Sequence, residues 1–347
     1  MGYIMDPRLE MPDKLLQELN PSSVFVLTDK NTTRHCLPIL QRNLKPRQFH
    51  HLEIEAGEAS KEMKVCLRLC HEMMEKGADR QSVLLNLGGG VVTDLGGFTA
   101  AIFKRGIRLI HIPTSLMAMT DAALGGKTGL NLGHYKNQLG TFSEAHQVVV
   151  HPGFLHTLPV PELRSGFAEM VKHALIADRD LWEKLQSAAV SQESLQPLLQ
   201  QSMEVKERLV KEDFSEQGAR LKLNFGHTIG HALESWSLEQ AVTPLKHGEA
   251  IAAGMMAEAA LSVAYSGLPP EEFHSIVNFI KQHFPVLNFP EPQQLFSFLK
   301  ADKKNILGTF RFSLLNKIGS CETGVELTTE DLKKELKQIT ITGSRTA

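Results

Sequence analysis

The sequence predicts an α/β domain built on a parallel sheet, followed by a mostly α-helical domain. Three observations lead there. Short apolar runs alternate with helical stretches through the first half of the chain. One of those runs passes straight into Gly88-Gly89-Gly90 and then into a helix. Past Leu158-Pro159-Val160-Pro161, long amphipathic runs replace the strand signals.

Taken in order, Val24-Phe25-Val26-Leu27 ends at Thr28-Asp29, and Ser82 to Leu87 runs into the glycines. Arg108 to Ile112 stops at Pro113, and Gln147 to Val150 stops before Pro152-Gly153. Helical stretches such as Val65 to Lys76 and Val92 to Phe103 lie between them. Short apolar strands separated by helices are the pattern of a parallel sheet. The later half reads as helices over Glu162 to Ile176, Leu195 to Glu212, Thr228 to Ser235 and Gly248 to Ser266. Only Phe310 to Leu315 reads as extended there. The paired prolines make a hinge, so a domain boundary is expected near residue 158, giving 1–158 and 159–347.

The 347 residues carry 37 basic and 39 acidic side chains, a formal net charge of −2. That balance leaves no electrostatic footprint for nucleic acid or an anionic membrane. An anionic substrate must then be gripped by local clusters of lysine and arginine. Met1 to Leu15 lacks an apolar core behind a basic stretch, so no signal peptide is expected. No uninterrupted apolar run approaches the roughly 18 residues of a membrane span. Cys66 and Cys70 stand i, i+4 rather than CxxC, and with Cys36 and Cys321 they read as packing residues of a reduced, cytoplasmic protein.

Gly88-Gly89-Gly90-Val91-Val92-Thr93-Asp94 places glycines between a strand and a helix N-terminus. Free N–H groups and close backbone approach suit a dinucleotide pyrophosphate. The GxGxxG fingerprint is absent, and a plain tight turn would use the same residues. Gly125-Gly126-Lys127-Thr128-Gly129 looks like the tail of a P-loop, but Asp121 stands where the first glycine belongs, so an NTPase is excluded. With Lys136-Asn137 nearby, the segment reads either as a phosphate grip or as solvated loop lysines.

The helical half holds the stronger signal. Asn224-Phe225-Gly226-His227-Thr228-Ile229-Gly230-His231 sets two histidines i, i+4 on one helix face, and Lys246-His247-Gly248-Glu249 adds a third. Phe167-Ala168-Glu169-Met170-Val171-Lys172-His173 places Glu169 and Lys172 on one face of an apolar helix. A carboxylate with imidazoles is the donor set of a catalytic metal site. The HExxH motif is missing, so peptide hydrolysis has no support. Lys206 and Arg220 bracket Glu212-Asp213-Phe214-Ser215-Glu216. Together with Lys127, Lys136 and Lys172 they suit a small substrate bearing more than one anionic group.

LGGGVVTDLGGF, KRG, PTSL, DAALGGKT, KNQLGTF, SGFAEMVKHALI, LNFGHTIGHALES, HGEAIAAGM and DKK, in this order and spacing, resemble the sugar phosphate cyclases, and among them the 3-dehydroquinate synthase family. The resemblance runs from Val24 to Leu315. It implies a Rossmann-like NAD-binding domain and a helical metal- and substrate-binding domain. The implied reaction is a zinc- and NAD-dependent lyase step of the shikimate pathway, in which 3-deoxy-D-arabino-heptulosonate 7-phosphate becomes 3-dehydroquinate and phosphate. NAD would oxidise a hydroxyl transiently, phosphate would leave by β-elimination, and an intramolecular aldol would close the ring.

The resemblance also assigns roles. Glu169, His227 and His247 would hold zinc or cobalt, with His231 handling a proton. Lys127, Asn137 and Lys304 would contact phosphate, with Lys136 beside them; Lys303 is the weaker candidate for the Lys304 role. Arg105 would be lent to a partner subunit, implying a homodimer. Lys206 and Arg220 would hold the substrate carboxylate, while Asp121, Lys172 and Asn224 orient ring hydroxyls. NAD would meet Asp29, Glu58, Lys61, Gly89, Gly90, Asp94 and Thr114, with Phe154, Thr157 and Leu158 closing the site. Thr93, Ser115, Tyr135 and Phe214 depart from the family's usual residues, and Met1 to Leu19 shows little β character for a first strand. The alternatives are cyclases of the 2-deoxy-scyllo-inosose or 2-epi-5-epi-valiolone synthase type, whose substrates lack the carboxylate, and a metal-dependent polyol dehydrogenase, which needs no phosphate grip.

Overall fold

The computed structural model describes residues 2–44, 48–133, 135–241, 243–285, 289–300 and 309–344. Its contacts divide the chain into two compact units, Met1–Leu163 and Arg164–Ala347.

The first unit holds β1 (Tyr3–Met5), β2 (Val24–Asp29), β3 (His50–Ile54), β4 (Val83–Gly88), β5 (Arg108–Pro113) and β8 (Gln147–Val150) in one sheet of order β1-β8-β5-β4-β2-β3. Every pairing in it is parallel. Helices α1 (Met11–Leu19), α2 (Lys30–His35), α3 (Leu37–Asn43), α4 (Met63–Glu75) and α5 (Gly90–Ile102) complete the alternation. The inner strands β2 and β4 are buried almost end to end. Strands covered on both faces are continuously apolar, which is why they were legible as short runs. Phe25, Leu27, Leu84, Leu95 and Leu109 form the core with Cys66 and Leu69 of α4. Cys36, Cys66 and Cys321 are buried, and all four cysteines are free thiols.

Two features were not anticipated. β3 lies at the sheet edge, and its His50-His51-Leu52-Glu53-Ile54 is half polar because one side lacks a neighbour strand. β6 (Lys127–Leu132) and β7 (Tyr135–Phe142) form an antiparallel hairpin where only a glycine turn was expected. The first strand exists, and at Tyr3–Met5 it is short, as its weak β character implied.

The helical half comprises α6 (Val160–Ala177), α7 (Arg179–Gln186), α8 (Gln192–Glu212), α9 (His227–Gln240), α10 (His247–Tyr265), α11 (Pro270–His283), α12 (Pro292–Lys300) and α13 (Thr329–Ser344). The extended run became β9 (Thr309–Lys317), paired antiparallel with β10 (Ser320–Thr328). β10 escaped the sequence reading because Glu322, Thr323 and Glu326 occupy its more open positions and Gly324 interrupts it. No helix among the described residues is long and apolar enough to cross a membrane.

α9 and α10 pack backbone to backbone. A Cβ at Gly254 would stand 2.0 Å from the Gly226 carbonyl oxygen and 2.6 Å from the Gly230 nitrogen, so only glycine fits at this crossing. The close approach brings the histidines at the start of each helix side by side.

Candidate active site

Three helices supply the cluster. Glu169 and Lys172 project from α6, His227 and His231 from α9, and His247 is the first residue of α10. Glu169 is fully buried, and its Oε1 lies 3.6 Å from His227 Nε2 and 3.7 Å from His247 Nε2. Both are too long for hydrogen bonds. Two ligands each about 2.1 Å from a tetrahedral zinc ion lie about 3.4 Å apart, so the spacing fits a cation set among them. The ligating nitrogens of His227, His231 and His247 all fall within 4.8 Å of one another. Neither oxygen of Glu169 takes part in a hydrogen bond, although Lys172 pairs with the carboxylate. Beyond the Lys172 ammonium, a buried carboxylate facing two imidazoles at that spacing fits a metal cation.

The histidine rings are oriented from behind. His227 Nδ1 lies 3.2 Å from the Phe225 carbonyl oxygen, and His247 Nδ1 lies 3.2 Å from Glu234 Oε2. Each contact suits an Nδ1–H donor, leaving Nε2 for a metal. Electrostatics follow the same layout. Burial opposes ionisation of Glu169, but Lys172, His227 and His247 outweigh it and hold the carboxyl well below the usual range. Burial, seconded by the Lys172 cation, holds His227 well below the usual imidazole range. Burial works against protonation of His247 too, yet Glu234 and Glu169 push it up to about 10. The two imidazoles facing Glu169 are thus pushed in opposite directions.

Two carboxylates in this region escaped the sequence reading. Glu234 is the partner of His247 just described. Glu258, on α10 and fully buried, accepts from the Gly226 N–H at 2.7 Å and the Ile229 N–H at 3.0 Å. Those are orphan donors at the start of α9, so Glu258 caps the helix that carries His227. The available signal was a single acid inside the apolar run Ala250 to Leu261.

Arg220 is buried in the short helical turn Ala219–Asn224, which packs on α8, the helix carrying buried Lys206. Arg220 Nη1 donates to the Phe214 carbonyl oxygen at 2.6 Å, and its backbone N–H donates to Asp213 Oδ2 at 3.1 Å. The departure at Phe214 therefore costs this contact nothing, since any residue offers a carbonyl. Asn224 Nδ2 donates to Glu216 Oε1 at 3.4 Å.

In the first unit, Gly89 is the N-cap of α5, and no side chain caps that helix. A Cβ on Gly89 would stand 3.2 Å from Ser115 Oγ. Uncapped N–H groups beside a glycine cradle fit a pyrophosphate. Lys61 Nζ lies 2.6 Å from Asp94 Oδ2 and 3.8 Å from Glu58 Oε1, so those three nucleotide candidates form one chain. Thr114 joins the glycine turn, its N–H donating to the Gly88 carbonyl at 3.0 Å. Thr93 turns its hydroxyl onto the Gly90 carbonyl oxygen at 3.0 Å and is accommodated inside α5. Ser115 Oγ accepts from the Ala118 N–H at 3.2 Å. Asp29 caps α2, accepting from the Thr32 N–H at 2.8 Å. Phe154, Thr157 and Leu158 lie in and just after the turn Pro152–Thr157, where Phe154 is buried.

Lys127, Lys136 and Asn137 sit on the β6–β7 hairpin, with Asn137 at φ +53° and its N–H donating to Asn131 Oδ1 at 3.0 Å. Asp121 lies in the helical turn Ala118–Ala122. Arg105 follows Lys104 in the left-handed region, at φ +68° and +49°. Lys303 and Lys304 lie outside the described residues.

Known proteins can be set beside this geometry. The 3-dehydroquinate synthase N-terminal family model matches residues 51–165, and the C-terminal one matches residues 166–305. The 3-dehydroquinate synthase of Parabacteroides distasonis is 40% identical over 336 residues, covering 95% of each chain. That of Geobacillus kaustophilus is 38% identical, covering 93% of this chain and 90% of its own. Among solved structures, 2-epi-5-epi-valiolone synthase from Streptomyces hygroscopicus with NAD+ and Zn2+ bound superposes with a TM-score of 0.87 at 27% identity, covering 100% of this chain and 98% of that one. A glycerol dehydrogenase from Schizosaccharomyces pombe, at 14% identity and a TM-score of 0.68 over 99% of this chain and 89% of that one, shares the fold alone. With domain models matched from residue 51 through residue 305 and relatives near 40% identity over almost its whole length, this chain belongs to the 3-dehydroquinate synthase family.

Proposed function

We propose that this chain is a working 3-dehydroquinate synthase, releasing phosphate from 3-deoxy-D-arabino-heptulosonate 7-phosphate and closing the carbocycle of 3-dehydroquinate. The observation that carries the reading is the buried Glu169 carboxylate facing His227 and His247 with no hydrogen bond to either oxygen. When bound, NAD supplies the transient oxidation and re-reduction of a substrate hydroxyl, and zinc or cobalt acidifies that hydroxyl.

The protein's own side chains do the rest. Glu169, His227 and His247 hold the cation, while Phe225 and Glu234 fix the two rings behind it. Lys172 balances Glu169 and, with Asp121 and Asn224, orients ring hydroxyls. Arg220, anchored through Phe214, and Lys206 hold the carboxylate. Lys127, Lys136, Asn137 and Lys304 hold the phosphate, and Arg105 reaches it from a partner subunit in a homodimer. His231, more open than its neighbours, exchanges a proton with the substrate. Gly89, Gly90, Asp94, Lys61, Glu58, Asp29 and Thr114 receive NAD, with Phe154, Thr157 and Leu158 beside it. On this reading residues 1–158 serve the nucleotide and residues 159–347 the metal and substrate, in a protein of the cytoplasm that binds neither nucleic acid nor membrane.

The retained pair of Lys206 and Arg220 favours a carboxylate-bearing substrate over the sugar phosphates of the other cyclases. The deciding experiment is phosphate release by EDTA-treated protein, with and without added zinc and NAD, while absorbance reports NADH. Release that requires both additions and leaves no net NADH supports the assignment. Steady NADH from a polyol, or release only from a carboxylate-free sugar phosphate, refutes it.

A further inference from the structure

Away from the histidine cluster, the second unit carries a cleft of about 490 Å³ lined by Arg164 of α6, by Gln186 and the segment 187–190 after α7, and by Gln282 and His283 at the end of α11. That volume lies within the range of small-molecule sites, about 300–1,000 Å³. Two of its polar groups are unusual. Arg164 Nε and His283 Nε2 are each shielded from solvent, and neither has a hydrogen-bond partner among the described residues. No carboxylate among those residues pairs with Arg164 either.

A guanidinium offers five N–H donors and no acceptor, so a sheltered Nε–H without an acceptor is an incomplete site. The His283 ring is held in place by Phe279, with centroids 4.5 Å apart, and edge-on by Phe167 at 5.6 Å. Burial and the nearby Arg164 cation both keep that ring below the usual imidazole range. In its neutral form the ring has one N–H to donate.

We propose that this cleft binds a small oxyanion, a carboxylate or phosphate group carried on a modest metabolite, between Arg164 and His283. The planar guanidinium fork suits both anions. Gln186, Ser187 and Gln282 supply side chains that donate or accept around the rest of such a molecule. The competing explanation is that Arg164 merely offsets the carbonyl ends of α7 and α11.

The test uses the histidine-labelled holoenzyme, titrated separately with inorganic phosphate, malonate and chloride. The His283 ring signals are identified by their loss in His283→Gln. The expected result is a saturable shift of those signals with phosphate or malonate, weakened about tenfold or more in Arg164→Gln, while substrate-dependent phosphate release keeps its rate. The two arms separate a phosphate-bearing from a carboxylate-bearing ligand. Should Arg164→Gln unfold, Arg164→Lys takes its place, keeping the charge and removing the fork. No saturable shift with either anion, an equal shift with chloride, or a shift unchanged in the folded Arg164 variant overturns the proposal.

Discussion

Replacing Glu258 by glutamine tests whether the α9 cap sets the metal site. The carboxylate receives two backbone N–H groups, from Gly226 at 2.7 Å and from Ile229 at 3.0 Å, and these flank His227. Glutamine keeps the shape and one acceptor, but turns an NH2 toward the other N–H. A lost hydrogen bond to a charged group removes about 1.5–3 kcal/mol, and an N–H left buried without an acceptor costs about 1–3 kcal/mol. These overlap, so a stability loss of about 2–4 kcal/mol is expected. Groups that orient metal ligands from behind are worth about 10–100-fold in metal affinity, or about 1.4–2.7 kcal/mol. The assay is competition between the protein and a chelator for zinc, with unfolding by urea measured alongside. Leu261→Ala, a core change on the same helix costing a similar 2–5 kcal/mol or so, is the control, and it should keep its zinc. A folded Glu258→Gln that binds zinc as tightly as the parent, or Leu261→Ala losing as much affinity, would show that Glu258 supports the fold only.

Other consequences are open to measurement. Arg220→Ala should raise KM for the carboxylate-bearing substrate by about 2–5 kcal/mol of lost binding and leave NAD affinity alone; equal loss of both, by titration, would misplace the arginine. Asp94→Asn removes the charge facing Lys61 at 2.6 Å and should weaken NAD binding while zinc affinity holds, both by equilibrium titration. Gly254→Ala forces a Cβ into the Gly226 carbonyl, so overpacking should cost about 1–3 kcal/mol or more and lower zinc affinity, measured by urea unfolding and chelator competition. His111, pushed down to about 4 by burial, gives a pH signature. The unfolded chain binds that proton near pH 6.5, so the stability is complete above that pH and is lost as pH falls toward 4, by about 3 kcal/mol. Urea unfolding across that range should show a shallower loss in His111→Gln.

The parallel sheet was legible because its inner strands are buried on both faces and are written as unbroken apolar runs. The histidine cluster was legible because His227 and His231 share a helix face within a glycine-bounded segment. What stayed hidden depends on pairing across long stretches of sequence. β3 and β10 carry polar residues on their open sides, and β6–β7 is rich in glycine and amides. The two support carboxylates belong to the same class. Glu234 matters only because α9 brings it to His247, and Glu258 only because α10 brings it beneath the start of α9. Neither follows from local spacing. Phe214 illustrates the converse, since a side chain that departs from the family pattern leaves intact a contact made by its carbonyl.

The buried carboxylates of the helical half also show how the fold separates support from chemistry. Glu258 is fully buried and spends its oxygens on backbone N–H groups, which is the arrangement that makes a buried acid tolerable. Glu169 is equally buried, four helices earlier in sequence, yet neither of its oxygens takes part in a hydrogen bond. Lys172 compensates the charge as an ion pair. A structural acid would gain by acquiring a donor. Instead the facing groups are imidazoles whose Nδ1 atoms already have partners and whose Nε2 atoms stop 3.6 and 3.7 Å short. That gap is too wide for a direct bond and wide enough for a shared cation. The contrast between the two acids supports the proposal that Glu169 serves a ligand, while Glu258 caps the helix that carries His227.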